Sequence, residues 1–385
     1  MNIHWTTVVR RLATTLLLSA LLASANALRA AETNTSTTYT PTPDAIARNE
    51  FEIGQALMRE NNFAGAVEAF QQATMARTNF AEAHQQWGVA LLQLGRLSGT
   101  PHLQGQRWQE AAAQFSRASE LRPKDTANYL LWSDTLSLIG DLPVEASLRL
   151  ACYQGAIEKC RKALELEPRN WNAYNKWAGI LTAKLPEFAA NDEARVELHL
   201  TAAGLYSNAV ERATFSGDVG SACVNWGAAL VRSARATKTN TEKQDRLRQA
   251  IEKFERATRT VRNSPMTYTM WGSALVQLGK ATGLRDDFRR GVEQFNMSLS
   301  LKPDDTAALY ALACTHALMR NPIMAVETLK KCFAVDASGA YRKLAMLDPD
   351  LAALRGELNF QELFAAPAPR RSYTTDSPPL RDGPR

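Results

Sequence analysis

The sequence predicts an all-α protein, an α-solenoid of about seven stacked helix pairs. The first reason is a dipeptide of a bulky residue followed by a small one, which recurs at intervals of 34, 45, 45, 49, 45 and 41 residues. The second reason is that each copy lies on a helical apolar pattern, and the first six have a leucine three positions after the small residue. The copies are Ile53-Gly54, Trp87-Gly88, Trp132-Ser133, Trp177-Ala178, Trp226-Gly227, Trp271-Gly272 and Leu312-Ala313.

A second pattern follows each dipeptide and predicts the second helix of each pair. It consists of a small residue, a larger one four positions later, and a small one three positions after that. In the fourth copy we assign Tyr206–Val210–Ala213, which departs from the pattern. The other copies are Ala66–Phe70–Ala73, Ala111–Phe115–Ala118, Ala156–Cys160–Ala163, Ala250–Phe254–Ala257, Gly291–Phe295–Ser298 and Ala325–Leu329–Cys332. Because no single repeat buries its apolar face alone, such units must stack to be stable.

These motifs resemble the tetratricopeptide repeat (TPR). Residues 81–95 carry a strong match, Ala-Glu-Ala followed by Trp-Gly-x-Ala-Leu and a later glycine, and the resemblance extends over about residues 47–364. It implies two antiparallel helices per repeat and a right-handed superhelix whose first helices line a concave groove. Glycine is unfavourable inside a helix, so Gly88 and its equivalents indicate that the paired helices approach closely there. Trp177 and its equivalents are expected to fill the space between repeats.

The long intervals predict lengthened helices in the second to sixth repeats. Beyond the shortest interval of 34 residues, the extra lengths are 11, 11, 15, 11 and 7. These lengths step by four residues, close to one helical turn, as expected if the apolar face must return to register. Ordinary long loops are the alternative. The turns between paired helices are expected near Gly99–Pro101, Asp141–Pro143, Pro186, Thr239-Asn240 and Thr282-Gly283.

The remaining segments differ in composition, and five regions result. Residues 1–27 are predicted to be a signal peptide, and residues 28–46 a disordered linker rich in Thr, Ser, Asn and Pro. The repeats occupy 47–339. Residues 340–364 resemble segments that close TPR arrays in bacterial proteins and are expected to form a capping helix pair with a polar outer face. Residues 365–385 are predicted to be a disordered tail rich in Pro and Arg.

The N-terminal pattern favours export to the periplasm or secretion. Arg10 and Arg11 precede a short apolar run, Leu12–Ala23, and small residues follow at Ala25-Asn26-Ala27. The run is shorter than the roughly 20 apolar residues that span a bilayer. An uncleaved amphipathic helix and an organelle transit peptide remain alternatives, because no acidic residue occurs before Glu32.

Charge and side-chain chemistry argue against several functions. The formal charge is +6, but residues 1–27 and 367–385 hold +2 each, so the body between them is only slightly basic and nucleic acid is not an expected partner. No cluster has the spacing of a metal site, and no nucleophile, base or cofactor motif stands out, so we expect no catalytic residues and no cofactor. A Cys314–Cys332 disulfide is an open alternative to five buried thiols.

What remains is a binding surface. The resemblance implies that the first helices bind a protein or peptide segment in the groove, and the amides of Gln55, Gln85 and Asn175 are suited to hydrogen-bond an extended backbone. The leading hypothesis is a non-enzymatic interaction scaffold in envelope assembly or secretion. The alternatives are a solenoid that binds a small molecule or glycan, and an organelle-targeted assembly factor. The candidate groove residues are Phe51, Gln55, Gln85, Asp134, Asn172, Asn175 and Tyr310.

Overall fold

The computed structural model describes residues 41–364, and all regular secondary structure in this range is helical. Fourteen helices form an array that three short elements close. They are α1 (Pro43–Arg59), α2 (Phe63–Ala76), α3 (Ala81–Arg96), α4 (Pro101–Leu121), α5 (Thr126–Gly140), α6 (Ala146–Leu166), α7 (Trp171–Ala183), α8 (Asp192–Arg212), α9 (Ser216–Ala236), α10 (Asn240–Thr260), α11 (Pro265–Thr282), α12 (Arg285–Leu301), α13 (Thr306–Leu318) and α14 (Pro322–Val335). A 3-10 helix, Leu185–Phe188, follows α7.

Consecutive helices pack as seven pairs, from α1/α2 to α13/α14. Each pair also packs against the next pair along the chain, and contacts between elements distant in sequence are few. This is the nearest-neighbour arrangement of a solenoid. The predicted all-α array of about seven helix pairs is therefore confirmed.

Glycines in the first helices make room for phenylalanines in the second helices. A Cβ atom added at any of these glycines would lie less than 3.0 Å from the ring of its partner, too close for an unshifted contact. The helices therefore approach closely at these points, as the repeated bulky–small dipeptide predicts. The shortest distances to the ring are 2.5 Å for Gly54 and Phe70, 2.8 Å for Gly88 and Phe115, 2.9 Å for Gly227 and Phe254, and 2.7 Å for Gly272 and Phe295.

The third repeat replaces both members of this contact. Ser133 stands where four other repeats have glycine, and Cys160 stands where those repeats have phenylalanine. The Ser133 Oγ and Cys160 Sγ atoms are 3.2 Å apart and form a buried hydrogen bond. Serine is larger than the usual glycine and cysteine is smaller than the usual phenylalanine. The two changes compensate, so helices α5 and α6 still approach closely here.

The fourth repeat corrects our assignment of its second helix. Helix α8 ends at Arg212, so Ala213 lies at its C-cap and cannot complete a buried triplet. The fully buried small residues are instead Ala202 and Ala209, and Tyr206 lies between them. Ala202–Tyr206–Ala209 has the same spacing as the other copies. The fourth copy is therefore regular, and the pattern began four residues earlier than we assigned.

The extra residues of the long repeats lie mainly in lengthened helices, as predicted. The second helices α4, α6, α8 and α10 each have 21 residues, compared with 14 in α2 and α14. Among the first helices, α9 has 21 residues and α11 has 18, whereas α3, α5 and α7 have 16, 15 and 13. The predicted turns coincide with the short connections between the paired helices.

The array begins earlier than the predicted boundary at residue 47. Thr42 is the N-cap of α1 and its hydroxyl accepts a hydrogen bond from the Ala45 backbone N–H at 3.2 Å. Pro43 occupies the first turn, where its missing N–H costs nothing. The predicted linker therefore does not extend to residue 46. The predicted signal peptide, the first part of the linker, and the 365–385 tail lie outside the described residues.

The closing segment contains α15 (Ala340–Leu347), a 3-10 helix (Pro349–Leu354) and the single turn α16 (Leu358–Gln361) rather than two full helices. Its buried residues, including Leu351 and Phe360, cover the apolar end of α13 and α14. The outer side is mixed rather than uniformly polar, because Arg342, Lys343 and Arg355 are exposed beside apolar residues. Leu347 is 81% exposed and Leu358 is 75% exposed, because these short elements bury only one side of each turn.

Candidate binding surface on the first helices

The seven first helices, α1, α3, α5, α7, α9, α11 and α13, lie on one side of the array, and most contact the next first helix directly. We call the surface that they form together the first-helix face. Polar side chains connect neighbouring first helices across this face. The connections are Gln85 Nε2 to Asp125 Oδ2 at 3.2 Å, Lys176 Nζ to Asp134 Oδ1 at 2.6 Å, Asn225 Nδ2 to Asn175 Oδ1 at 3.1 Å, and Arg235 Nε to Gln277 Oε1 at 3.0 Å.

The Asn175–Asn225 pair leaves two groups open on this face. Asn225 donates to Asn175, so the Asn175 Nδ2 donor and the Asn225 Oδ1 acceptor have no partner among the described residues. Both side chains are half-buried, which limits their rotamers. One donor beside one acceptor complements the C=O and N–H groups of a peptide unit.

A cavity of about 190 Å³ opens between α9 and α11. Ala228, Val231 and the ring of Phe254 give it an apolar base. Polar side chains at its rim come from both first helices: Arg232, Arg235, Thr269, Ser273 and Gln277. A second cavity of about 300 Å³ adjoins it, shares Arg235 and Gln277, and is also lined by Lys243 and Lys280. We call the two together the α9–α11 cavity.

The charges of the α9–α11 cavity are unbalanced. No carboxylate lines either part of it. Burial lowers the pKa of Arg235, and the nearby Arg232 charge lowers it further. The same Arg232 charge adds to burial in lowering the pKa of His199 to about 4. The Arg235 guanidinium therefore lies where its positive charge is partly desolvated and has a second cation nearby.

Two other clefts lie between the lengthened ends of the second helices. One of about 330 Å³ is bounded by Leu142, Val144 and Leu148, and one of about 450 Å³ by Leu185, Phe188 and Leu198. They are mainly apolar and lie outside the first-helix face. Within residues 41–364 no group of three His, Cys, Asp or Glu side chains is placed to hold a metal ion. No helix in that range is long and apolar enough to cross a membrane.

Comparison with known proteins bears on the fold. No protein-family model and no curated protein matches the sequence. Among solved structures, the C-terminal part of a TPR repeat-containing protein from Cytophaga hutchinsonii is similar over 77% of this chain and 99% of its own, with 13% identity and a TM-score of 0.50.

The chain has the tetratricopeptide-repeat fold. YrrB, described as a TPR protein with an unusual peptide-binding site, is 19% identical and covers 62% of this chain and 100% of its own, with a TM-score of 0.42. PilW, described as a type IV pilus biogenesis factor, is 15% identical and covers 67% of this chain and 98% of its own, with a TM-score of 0.47. The assignment of the fold rests on the Cytophaga hutchinsonii structure, and its 13% identity shows the fold alone.

The structure places the predicted groove residues of this TPR array in different environments. Gln85, Asp134 and Asn175 take part in the connections between first helices, and Gln55 is exposed on α1. Asn172 is half-buried on α7. Phe51 packs into the core instead, with its ring 4.9 Å from the ring of Phe80.

Tyr310 is also buried in the TPR array and is not exposed for binding. It is 6% exposed, and its hydroxyl donates to Asp348 Oδ2 at 2.8 Å. Tyr310 therefore ties α13 to the closing segment. The sequence does not show this contact, because the two residues lie far apart along the chain.

The tryptophans of the bulky–small dipeptides are half-buried, less than we expected, and cations cover three of their rings. Lys159 Nζ lies 4.0 Å from the ring centroid of Trp132, and Lys253 Nζ lies 4.4 Å from that of Trp226. The Arg161 guanidinium lies 4.8 Å from the centroid of Trp177. Ring faces covered in this way are not free for stacking against a sugar.

Sequence reasoning missed Arg232 and Arg235. Six of the seven groove positions that we assigned lie two residues from the bulky residue of the dipeptide in their repeat, and Asn172 lies five residues before Trp177. Arg235 lies nine residues after Trp226, about two turns further along a lengthened helix. The 21-residue length of α9 was the available signal, because it extends the face beyond the positions of a shorter repeat.

The cysteines of the TPR array are all buried thiols, and no Cys314–Cys332 bridge forms. Cys314 Sγ lies 3.8 Å from Asp348 Oδ2, whereas Cys332 Sγ donates to the Thr306 carbonyl oxygen at 3.5 Å. The two side chains thus point to different partners. Burial raises the pKa of the Cys332 thiol to about 11, which suppresses its reactive thiolate.

Proposed function

We propose that this TPR array is a non-enzymatic scaffold that binds a protein or peptide segment on the first-helix face. The Asn175–Asn225 pair carries the proposal, because it presents one open donor beside one open acceptor on that face. An extended backbone offers the complementary groups at every residue. The helix pairs and the closing segment use almost all of residues 41–364, which also favours a scaffold over a catalytic domain.

Site-specific photocrosslinking in the native cells tests this proposal. A photoreactive amino acid at Asn172, on the first-helix face, should yield a discrete protein adduct. The same amino acid at Glu158, which is exposed on the second helix α6, is the matched control and should not yield it. Adding Asn175→Ala and Asn225→Ala to the Asn172 probe should weaken the adduct. An adduct to a glycan or small molecule only, or equal adducts from both probes, would refute the scaffold proposal.

We further propose that the protein is exported and acts in envelope assembly or secretion. The support is the sequence pattern of residues 1–27, with paired arginines, a short apolar run and an Ala-x-Ala site. Sequencing the N-terminus of the protein purified from its own cells tests this. A mature chain that starts at Leu28 is expected. An unprocessed chain, or cleavage at another position in an organelle fraction, would contradict export.

A further inference from the structure

Cations on and beside the first-helix face differ in whether a carboxylate pairs with them. Lys176 is paired with Asp134, Lys184 with Asp141, and Lys280 with Asp350 at the closing segment. Arg232, Arg235 and Lys243 form no ion pair with any described residue. Arg232, Arg235 and Lys243 all line the α9–α11 cavity, so three cations without a carboxylate partner lie together there.

Helix geometry brings the two arginines together. Arg232 and Arg235 are three residues apart on α9, and residues at this spacing are neighbours on one side of a helix. Like charges at this spacing repel, and no carboxylate within residues 41–364 forms an ion pair with either arginine. Arg235 is held in place through its Nε–H, which donates to Gln277 Oε1 at 3.0 Å. Its terminal nitrogens remain available for a planar, two-pronged contact with a carboxylate.

The other residues that line the cavity indicate which kind of side chain fits beside a bound anion. The apolar base of Ala228, Val231 and Phe254 suits an aliphatic or aromatic side chain. The Ser273 hydroxyl offers a neutral hydrogen bond beside it, whereas the Thr269 hydroxyl already donates to Ser298 Oγ at 2.8 Å. The lining does not suit a single-stranded nucleic acid, whose bases stack on exposed aromatic rings, because Phe254 is 1% exposed and the cavity lining has no other aromatic residue.

We propose that the α9–α11 cavity binds an acidic segment of a partner protein, with Arg232 and Arg235 holding its carboxylates and the apolar base holding a neighbouring side chain. This inference rests on the proposed function and specifies the partner's chemistry and the place where it binds. It assigns the binding to the fifth and sixth repeats.

Selection from a random peptide library tests the inference with the full mature chain. Peptides selected by the unmodified protein should be enriched in Asp and Glu next to an apolar residue. The Arg232→Gln/Arg235→Gln variant should lose this enrichment. The Arg248→Gln variant is the matched control, because Arg248 is an exposed arginine on α10 that pairs with Asp245, and it should retain the enrichment. Circular dichroism shows that the variants keep their helices.

Affinity measurements complete the test. A selected acidic peptide should bind at least about tenfold more weakly to the double variant, as expected when charge-assisted hydrogen bonds are lost. Its Asn and Gln analogue should show a similar loss with the unmodified protein. Selected peptides without acidic enrichment, an unchanged affinity of the double variant, or displacement by inorganic phosphate at equal concentration would overturn the inference but leave the scaffold proposal standing. Failure to select any peptide would count against both.

Discussion

Replacing Gly88 with alanine tests whether the small residues of the first helices are required by packing. The alanine Cβ would lie 2.8 Å from both Cε1 and Cζ of Phe115, whose ring is fully buried. Ordinary carbon contacts are about 3.5–4.0 Å, so the ring or the helix must move by about 0.7 Å or more. Overpacking of this kind costs about 1–3 kcal/mol. Alanine recovers about 1 kcal/mol through helix propensity, so we expect a net loss of about 1 kcal/mol.

Gly204→Ala is the matched control. Gly204 also lies within a helix, α8, but is exposed, and nothing would lie within 4 Å of an added Cβ. Only the propensity effect remains there, so this substitution should stabilise the protein by about 1 kcal/mol. The difference between the two variants, about 2 kcal/mol, then measures overpacking alone.

Urea denaturation followed by circular dichroism measures both free energies of unfolding. Equal slopes of the free energy against urea concentration must be verified, because repeat arrays can unfold in parts. Phe115→Leu in the Gly88→Ala background should cost about 1 kcal/mol less than it does alone, because it removes the clashing ring. If Gly88→Ala stabilised the protein as much as Gly204→Ala does, the close-approach explanation would be wrong.

Three further outcomes are expected. Trp177→Ala should lower the free energy of unfolding by about 2–3 kcal/mol, less than for a fully buried tryptophan, because Trp177 is half-buried; urea denaturation measures this. The His199 pKa is lowered from 6.5 to about 4, so the neutral form is favoured in the folded protein. The stability that neutral His199 contributes is present in full above pH 6.5 and is lost as the pH falls towards 4, a loss of about 2 kcal/mol. Thermal unfolding measured across this pH range should show the loss in the unmodified protein but not in His199→Gln. Tyr310→Phe removes the hydrogen bond to Asp348 and should speed amide hydrogen exchange in α15, while exchange in α3 stays unchanged.

Much of the fold could be predicted because repeat patterns are local. The spacing of Gly88 and Phe115 within their motifs depends only on helical periodicity and on the packing of adjacent helices. The prediction was wrong in the fourth repeat because small residues are frequent in α8. Ala209 lies three residues after Tyr206 and Ala213 lies three residues after Val210, so both triplets have the required spacing. Only the end of the helix at Arg212 distinguishes the two triplets.

The candidate site was predicted less completely. Asn175 and Gln85 lie on the first-helix face as expected, because a helical position fixes the side on which a residue points. Phe51 and Tyr310 could not be assigned in this way. Their environments depend on Phe80 and Asp348, which belong to other repeats or to the closing segment.

The sequence by itself determined the class of fold, the number of helix pairs and the lengthening of the helices, because backbone geometry imposes these periods within one or two turns. Only the tertiary structure decided which charges are neutralised. Lys176 meets Asp134 across the first-helix face, 42 positions apart, whereas Arg232 and Arg235 meet no carboxylate within residues 41–364. Ion pairing depends on distances of a few ångströms between repeats, and such distances exist only once the helices have stacked.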